Sequence, residues 1–391
     1  MLLPYSHVIP SRIGGACTST RVRRRTVLLV AIIWMILSYV VVQARMLSLK
    51  DRHFLNATLI KSYVGTAGKS VPTSPQDVEA TCHAHGFVPW SPHEHDRKVY
   101  DLTLMSNELD WLEIRLHTLS EYVDYFVIIE SPTTFTGKPK PLHLKDNWGR
   151  FKPFHEKIIY REVHDLVSSS RVWDHEDFLR DALLKAVFPT LVKTPAAANY
   201  GDVLVVSDMD EIVRPETMTL LRRCRFPRRL TLASDFYYYS FQWRHEGPQW
   251  LGPHATTFQG SATISPNDLR QGLLGQGWAP IAAFYRWHDR RTLWNAGWHC
   301  SSCFATVEEI LAKMGAFSHK PLNTVENRNP VTIKNRVRHG LDLFGRTDQL
   351  FAKIEDNTDV PTYILEQNRR NGNRFDYLLN RDDEKAGFED G

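Results

Sequence analysis

Val203-Leu204-Val205-Val206 is an unbroken run of branched aliphatic residues that stops at Ser207-Asp208-Met209-Asp210-Glu211. With Asp202 in front, the run reads as a strand covered on both faces, the kind found in parallel or mixed sheets packed between helices. Three carboxylates then stand where the strand leaves the core, at the edge where open α/β sheets take their ligands. Two aspartates one residue apart offer hard oxygen donors to Mg²⁺ or Mn²⁺ and leave coordination positions for phosphate oxygens. An Asp-x-Asp triplet also arises by chance in 391 residues. A polar turn capping the next helix is therefore the competing reading of the triplet alone.

The segments ahead of the triplet supply a frame. Val99–Met105 reads as a first strand, and Leu109, Leu112, Leu116 and Leu119 follow at helical spacing, with Asn107 as N-cap. Tyr125–Ile129 reads as a second buried strand ending at Glu130, so the unit is βαβ and favours right-handed parallel pairing. Trp173 to Val187 again has a helical pattern and leads into the Asp202–Val206 strand. The expected fold class is α/β, a mixed sheet with flanking helices. Its ligand edge would gather Ser106-Asn107-Glu108, Glu130-Ser131 and Asp208-Met209-Asp210.

The N-terminus carries a topology signal. Arg21, Arg23, Arg24 and Arg25 precede Val27–Val42, which contains no charged residue. As a helix this run reaches about 24 Å, short for a plasma membrane but adequate for a thinner early-secretory bilayer. The positive-inside rule keeps the arginines cytosolic. The expected organisation is a cytosolic tail at 1–25, a signal-anchor helix at 26–43, a stem at 44–97, a lumenal catalytic domain at 98–380 and a polar tail at 381–391. A cleavable signal peptide is the rival, but Gln43-Ala44-Arg45 makes a poor cleavage site. Asn56-Ala57-Thr58 is an N-glycosylation triplet in the stem.

Cys17 would be cytosolic, leaving Cys82, Cys224, Cys300 and Cys303 in an oxidising lumen with three pairings open. Cys300-Ser301-Ser302-Cys303 has no second Cys-x-x-Cys to complete a zinc site, so disulfide use is preferred. The chain is 42% hydrophobic and 24% charged, with formal net charge +4. That excess owes much to the N-terminal arginines and supports no nucleic-acid role. Between Leu230 and Trp298 the chain turns aromatic, with Phe236–Trp243 strand-like and Trp250, Trp278, Trp287, Trp294 and Trp298 following. Most such rings are core, but Trp and Tyr beside Asp, His and Arg also line sugar-binding grooves.

Several blocks together resemble a known family. They are Asn107–Leu116, Val123–Ser131, Thr134–Leu142, Ser207–Ile212 with Arg214-Pro215, Gly297–Phe304 and Phe317-Ser318-His319. Their order and content are similar to glycosyltransferase family seventeen, the family of the β-1,4-mannosyl-glycoprotein 4-β-N-acetylglucosaminyltransferases. The resemblance implies a metal-dependent, inverting transferase of GT-A-like architecture in the Golgi membrane. It further implies UDP-GlcNAc as donor and a glycan or glycoprotein acceptor, with β-1,4 transfer to the β-linked mannose of an N-glycan core.

Onto these expectations the residues map as follows. Asp210 is the first choice for a direct Mn²⁺ or Mg²⁺ ligand, and Asp208 reaches the ribose or a metal-bound water. His319 resembles the late histidine that completes coordination in many such enzymes, with a core or surface role as its alternative. A carboxylate base is needed to take the acceptor proton. Glu308 and Glu309 lead, at the start of a helical stretch, and Asp289 follows; plain helix N-terminal acidity is the competing reading. Asn107 and Glu130 are placed at the uracil or ribose, and Lys138 and Lys140 beside the phosphates. Trp173, Glu176 and Arg180 share a helical face, from which Arg180 reaches the diphosphate or simply pairs with Glu176. Rival functions are transfer of another UDP-sugar or to another acceptor, and an inactive lumenal glycan binder.

Overall fold

The computed structural model describes residues 75–91, 96–164, 167, 169, 171–272, 289–316 and 322–390, together with positions 34, 37 and 38. The chain divides into two compact units, residues 1–68 and 69–391. Trp34, Leu37 and Ser38 are helical; the rest of the expected anchor, the Asn56 triplet and His319 lie outside the described residues. Among the described residues no helix is long and apolar enough to cross a membrane.

The second unit opens with α1 (Pro75–Ala84) and β1 (Val88–Pro89), then β2 (Val99–Met105), α2 (Leu109–Leu119), β3 (Tyr125–Glu130), β4 (Ile158–Glu162) and α3 (Val172–Lys185). Next come β5 (Val203–Val206), β6 (Glu211–Val213), α4 (Pro215–Arg223), β7 (Cys224–Arg225), β8 (Arg229–Tyr238), β9 (Ser240–His245), β10 (Trp250–Thr257) and α5 (Pro266–Gln271). The described remainder includes β11 (Arg290–Ser301), α6 (Val307–Ala316), α7 (Pro330–Arg338), β12 (Phe351–Lys353) and α8 (Thr362–Arg370).

Ten strands form one mixed sheet in the order β12-β9-β8-β10-β5-β2-β3-β4, with β11 joining β8 and β6. The half from β5 to β4 is parallel, with Val99 opposite Val203, Tyr100 opposite Tyr125 and Phe126 opposite Ile158. From β5 outward, β10, β8, β9 and β12 pair antiparallel, while β11 runs parallel to β8. Alternation of side chains along a strand sorts the apolar residues onto two faces. Phe126, Ile128, Val203 and Val205 pack in the core that holds Leu112, Leu116 and Leu119 of α2. Val127, Ile129, Leu204 and Val206 pack with Leu179 and Leu183 of α3 on the other face. The βαβ alternation and both-face burial expected from the sequence are thus present.

Four expectations are revised. The helix after β2 is N-capped by Glu108 rather than Asn107; Glu108 Oε2 folds back to accept the backbone N–H groups of Ser106 and Asn107 at 3.2 and 3.0 Å. The aromatic run Phe236–Trp243 is not one strand, because Tyr239 takes φ +64° and turns β8 into β9. Folding begins ahead of residue 98: Cys82 on α1 is disulfide-bonded to Cys224, and β1 pairs with β7. That crosslink closes 142 residues of chain, a constraint on the unfolded state of order 5 kcal/mol in the chain-entropy treatment. Finally, 381–390 is no tail. Arg381 is fully buried and donates to the carbonyls of Tyr239, Phe304 and Ala386, and Asp390 accepts the Val307 and Glu308 N–H groups at the start of α6.

Candidate active site

The triplet turn is fixed from beneath by a charge in the core. Asp101 lies mid-strand in β2 and Arg115 on α2, both without solvent exposure. A buried carboxylate in an apolar strand needs a cation, and Arg115 meets it with two 2.6 Å bonds. The guanidinium also donates to Ser207 Oγ and to the carbonyls of Asp208, Met209 and Glu211 at 3.2, 3.3 and 2.8 Å. Asp210 O accepts the Cys300 N–H at 3.1 Å, so β11 is pinned to the same turn. Gly297 makes that approach possible, since a Cβ there would lie 2.6 Å from Ile212 O.

Above the turn is a cavity of about 490 Å³. One wall comes from the parallel half of the sheet and α3, with Leu104, Ile129, Phe135, Trp173, Glu176 and Arg180. The rest of the lining comes from β10, α5, β11 and α6, with Trp250, Leu251, Arg270, His299 and Lys313. Ser106, Glu108, Asp208 and Asp210 form the floor between them. All three strand-end groups expected at the ligand edge are therefore at this edge, though not every residue faces the cavity.

The floor is a lattice of opposite charges. Asp208 binds Arg180 at 3.2 Å and Arg270 at 2.7 Å, and Arg270 also holds Glu211 at 2.5 Å. Burial opposes ionisation of Asp208, but Arg270 and Arg180 outweigh it and hold its carboxyl far below the usual carboxylate range. Glu211 has no exposure; its Oε2 accepts the Asp208 N–H at 2.9 Å and its Oε1 the Trp250 indole N–H at 2.6 Å. The Lys313 ammonium sits between Glu108 at 2.6 Å and Asp210 at 3.3 Å. Burial alone would lower its pKa, yet Asp210 and Glu108 raise it well above that of a free lysine. His254 is the opposite case: burial, with Arg270 nearby, lowers its pKa to about 3 and keeps the ring neutral. His299 stacks on Phe236 with 5.0 Å between ring centroids, and its Nε2 lies 3.8 Å from Asp210.

Asp208, Asp210 and Arg180 all line the cavity, and Arg180 both pairs with Glu176 at 2.7 Å and reaches Asp208. The other candidates are placed as follows. Glu130 is fully buried behind the wall, accepting from Leu144 N at 3.2 Å and Tyr160 Oη at 3.1 Å. Lys138 is exposed on its loop, whereas Lys140 lines the cavity. Asn107 is not among the cavity's lining residues, although its neighbours Ser106 and Glu108 are. Glu309 makes a reciprocal capping box with Thr306, and Glu308 is exposed beside it, so helix N-terminal acidity is the reading that holds. Asp289 precedes β11, ten residues before His299 and about 30 Å away along an extended chain.

Arg115, Arg270, Lys313, His254 and His299 went unassigned. A signal existed for Arg115, because Asp101 in the apolar strand demands a buried partner. His299 sits inside the block Gly297–Phe304. Arg270 and Lys313 reach the floor from helices far along the chain, and no local pattern announces them. The second disulfide, Cys300–Cys303, lies beside His299, and the Trp111 indole donates to Cys303 O at 2.9 Å.

A part-parallel sheet with a charged cavity at its carboxyl edge defines an α/β enzyme of the ligand-at-strand-ends class. The chain belongs to glycosyltransferase family 17, whose model matches residues 20–271 and 276–380. It is similar to proteins named beta-1,4-mannosyl-glycoprotein 4-beta-N-acetylglucosaminyltransferase. The Homo sapiens protein is 26% identical over 316 residues, covering 74% of this chain and 56% of that protein. The Rattus norvegicus protein is 26% identical over 316 residues, with 74% and 55% covered. The chain thus spans about half the length of the curated relatives it matches.

Proposed function

We propose that this chain transfers N-acetylglucosamine from UDP-GlcNAc to a mannose of a glycoprotein glycan, with inversion, at the cavity above Asp208 and Asp210. The observation that carries this reading is the position of the triplet. It joins a wall of parallel strand ends, suited to a nucleoside, to a wall of antiparallel strands and α6, and a diphosphate on the floor would span them. The names of the relatives supply the sugar and the acceptor class.

The floor's charges fit a divalent ion. Glu108, Glu176, Asp208 and Asp210 at the cavity, with Glu211 beneath them, give five negative charges against four positive ones from Lys140, Arg180, Arg270 and Lys313, a net of −1. A diphosphate adds further negative charge beside these carboxylates, which a counter-cation entering with it would offset. Asp208 and Asp210 would hold Mn²⁺ or Mg²⁺ through hard oxygens, with the Asp208 side chain 40% exposed toward solvent. The chemistry supplied there would be Lewis-acid neutralisation of the departing diphosphate. Arg180 and Arg270 orient Asp208, and Arg115 holds the turn's backbone. Among the described residues no carboxylate that lines the cavity lacks a cation: Glu108 holds Lys313, Glu176 holds Arg180, and Asp208 and Asp210 are engaged as above.

The test is a panel of UDP-sugars offered with Mn²⁺ and a soluble N-glycan carrying the core mannoses. UDP-GlcNAc should be turned over at least tenfold faster than UDP-glucose or UDP-galactose. Equal rates would sink the donor assignment.

A further inference from the structure

We infer that Trp250 is the stacking platform for the acceptor saccharide, and that Glu211 is the positioning residue that aims it. This deepens the proposed function and rests on its placement of the nucleotide. Trp250 is 39% exposed and Leu251 51% exposed, and both line the cavity. The indole is backed by other rings: its centroid lies 4.7 Å from that of His299 and 5.9 Å from that of Phe236, which itself contacts His245 and Phe351. Its N–H is anchored on the wholly buried Glu211 at 2.6 Å. A large ring held at its edge, supported behind and left partly open to a cavity is suited to the apolar face of a pyranose.

The anchor is a built joint. A Cβ on Gly252 would lie 2.9 Å from Glu211 Oε1, 2.9 Å from Trp250 Nε1 and 3.1 Å from Arg270 Nη1. Any larger residue there would prise the indole from the carboxylate. The same Glu211 accepts the Asp208 N–H and binds Arg270, which grips Asp208. One buried carboxylate therefore sets both the triplet and the platform, which fixes the acceptor ring relative to the donor phosphates. Trp250 belongs to the acceptor side because it stands on β10 beside His299 of β11, in the antiparallel half of the sheet, whereas the nucleotide is placed at the parallel strand ends.

The experiment titrates the full chain by calorimetry with a trimannosyl-core N-glycan alone, and separately with UDP plus Mn²⁺. Trp250→Ala should weaken glycan binding at least tenfold and leave UDP affinity within twofold. Trp250→Tyr, which keeps a ring, should recover most of the glycan affinity. Gly252→Ala, which leaves the ring in place but disturbs its anchor, should lower glycan affinity severalfold; circular dichroism and melting confirm that each variant is folded. An equal loss of UDP affinity in Trp250→Ala, or unchanged glycan affinity, would overturn the assignment. Because the glycan arm needs no donor, a failure of UDP to bind would count against the proposed function and not against the platform.

Discussion

Arg115 meets the Asp101 carboxylate with two 2.6 Å bonds, and its further donors hold the backbone of the Asp208–Glu211 turn. The pair sits in the core of the βαβ unit with neither side chain exposed. Its role is to convert a flexible polar turn into a fixed one. Removing one partner of a buried pair leaves an uncompensated charge, at a cost of about 3–5 kcal/mol. Asp101→Asn should therefore lower the melting temperature by roughly 10 °C and weaken UDP binding, read by calorimetry on the folded fraction. A melt within about 2 °C of the parent would show that the pair does not hold the turn.

Lys313 is the second cation whose loss has a defined sign. Its ammonium occupies the space between Glu108 and Asp210, so it competes with a divalent ion for Asp210. Lys313→Met should lower stability by about 1 kcal/mol once solvent screening of its part-exposed side chain is allowed for. It should also tighten Mn²⁺ binding in the absence of nucleotide, measured by titration with paramagnetic relaxation. Weaker Mn²⁺ binding would mean that the lysine supports the ion site instead of rivalling it.

His254 should make the fold acid-sensitive at mild pH. Its folded pKa of about 3 lies below the 6.5 of the free side chain, so the unfolded chain takes up the proton first as pH falls. The stabilisation is complete above about pH 6.5 and is lost downward toward pH 3, by up to about 1.4 kcal/mol per pH unit. His254→Gln should flatten the denaturant-melting slope between about pH 6.5 and 4.5. A slope identical to that of the parent would assign the sensitivity to other groups.

The C-terminus should resist trimming. Ending the chain at Asn380 removes Arg381, which satisfies the buried carbonyls of Tyr239 and Phe304, and Asp390, which caps α6. Each orphaned acceptor costs about 1–3 kcal/mol, so the truncated chain should fail to accumulate as folded protein, checked by expression and limited proteolysis. Ending it at Glu389 removes only the cap and should cost about 1 kcal/mol.

Much of the frame was legible because it is local. The strands at 99–105, 125–130 and 203–206 declare themselves by apolar density, and the helices between them by spacing, so the ligand edge and its Asp208–Asp210 floor followed directly. The residues that neutralise the floor were not legible. Arg270 and Lys313 arrive 62 and 103 residues after the aspartates they touch, and only the fold brings them there. The expected bases misled for the same reason in reverse: Glu308 and Glu309 have the local chemistry of a helix start, and that is the use the structure makes of them. Glu130 ends a strand at the correct edge but points into the protein, a choice of direction that a single residue's position does not reveal. Arg381 stands in a stretch that reads as a polar tail, yet its charge is buried against main-chain carbonyls.

The most direct test titrates UDP into the folded chain with Mn²⁺ and again with EDTA, for the parent and for Asp210→Asn. UDP should bind at least tenfold more tightly with Mn²⁺ than with EDTA, and Asp210→Asn should bind no better than the chelated parent while melting near it. UDP affinity indifferent to both the chelator and the substitution would contradict a metal-assisted nucleotide site at the triplet.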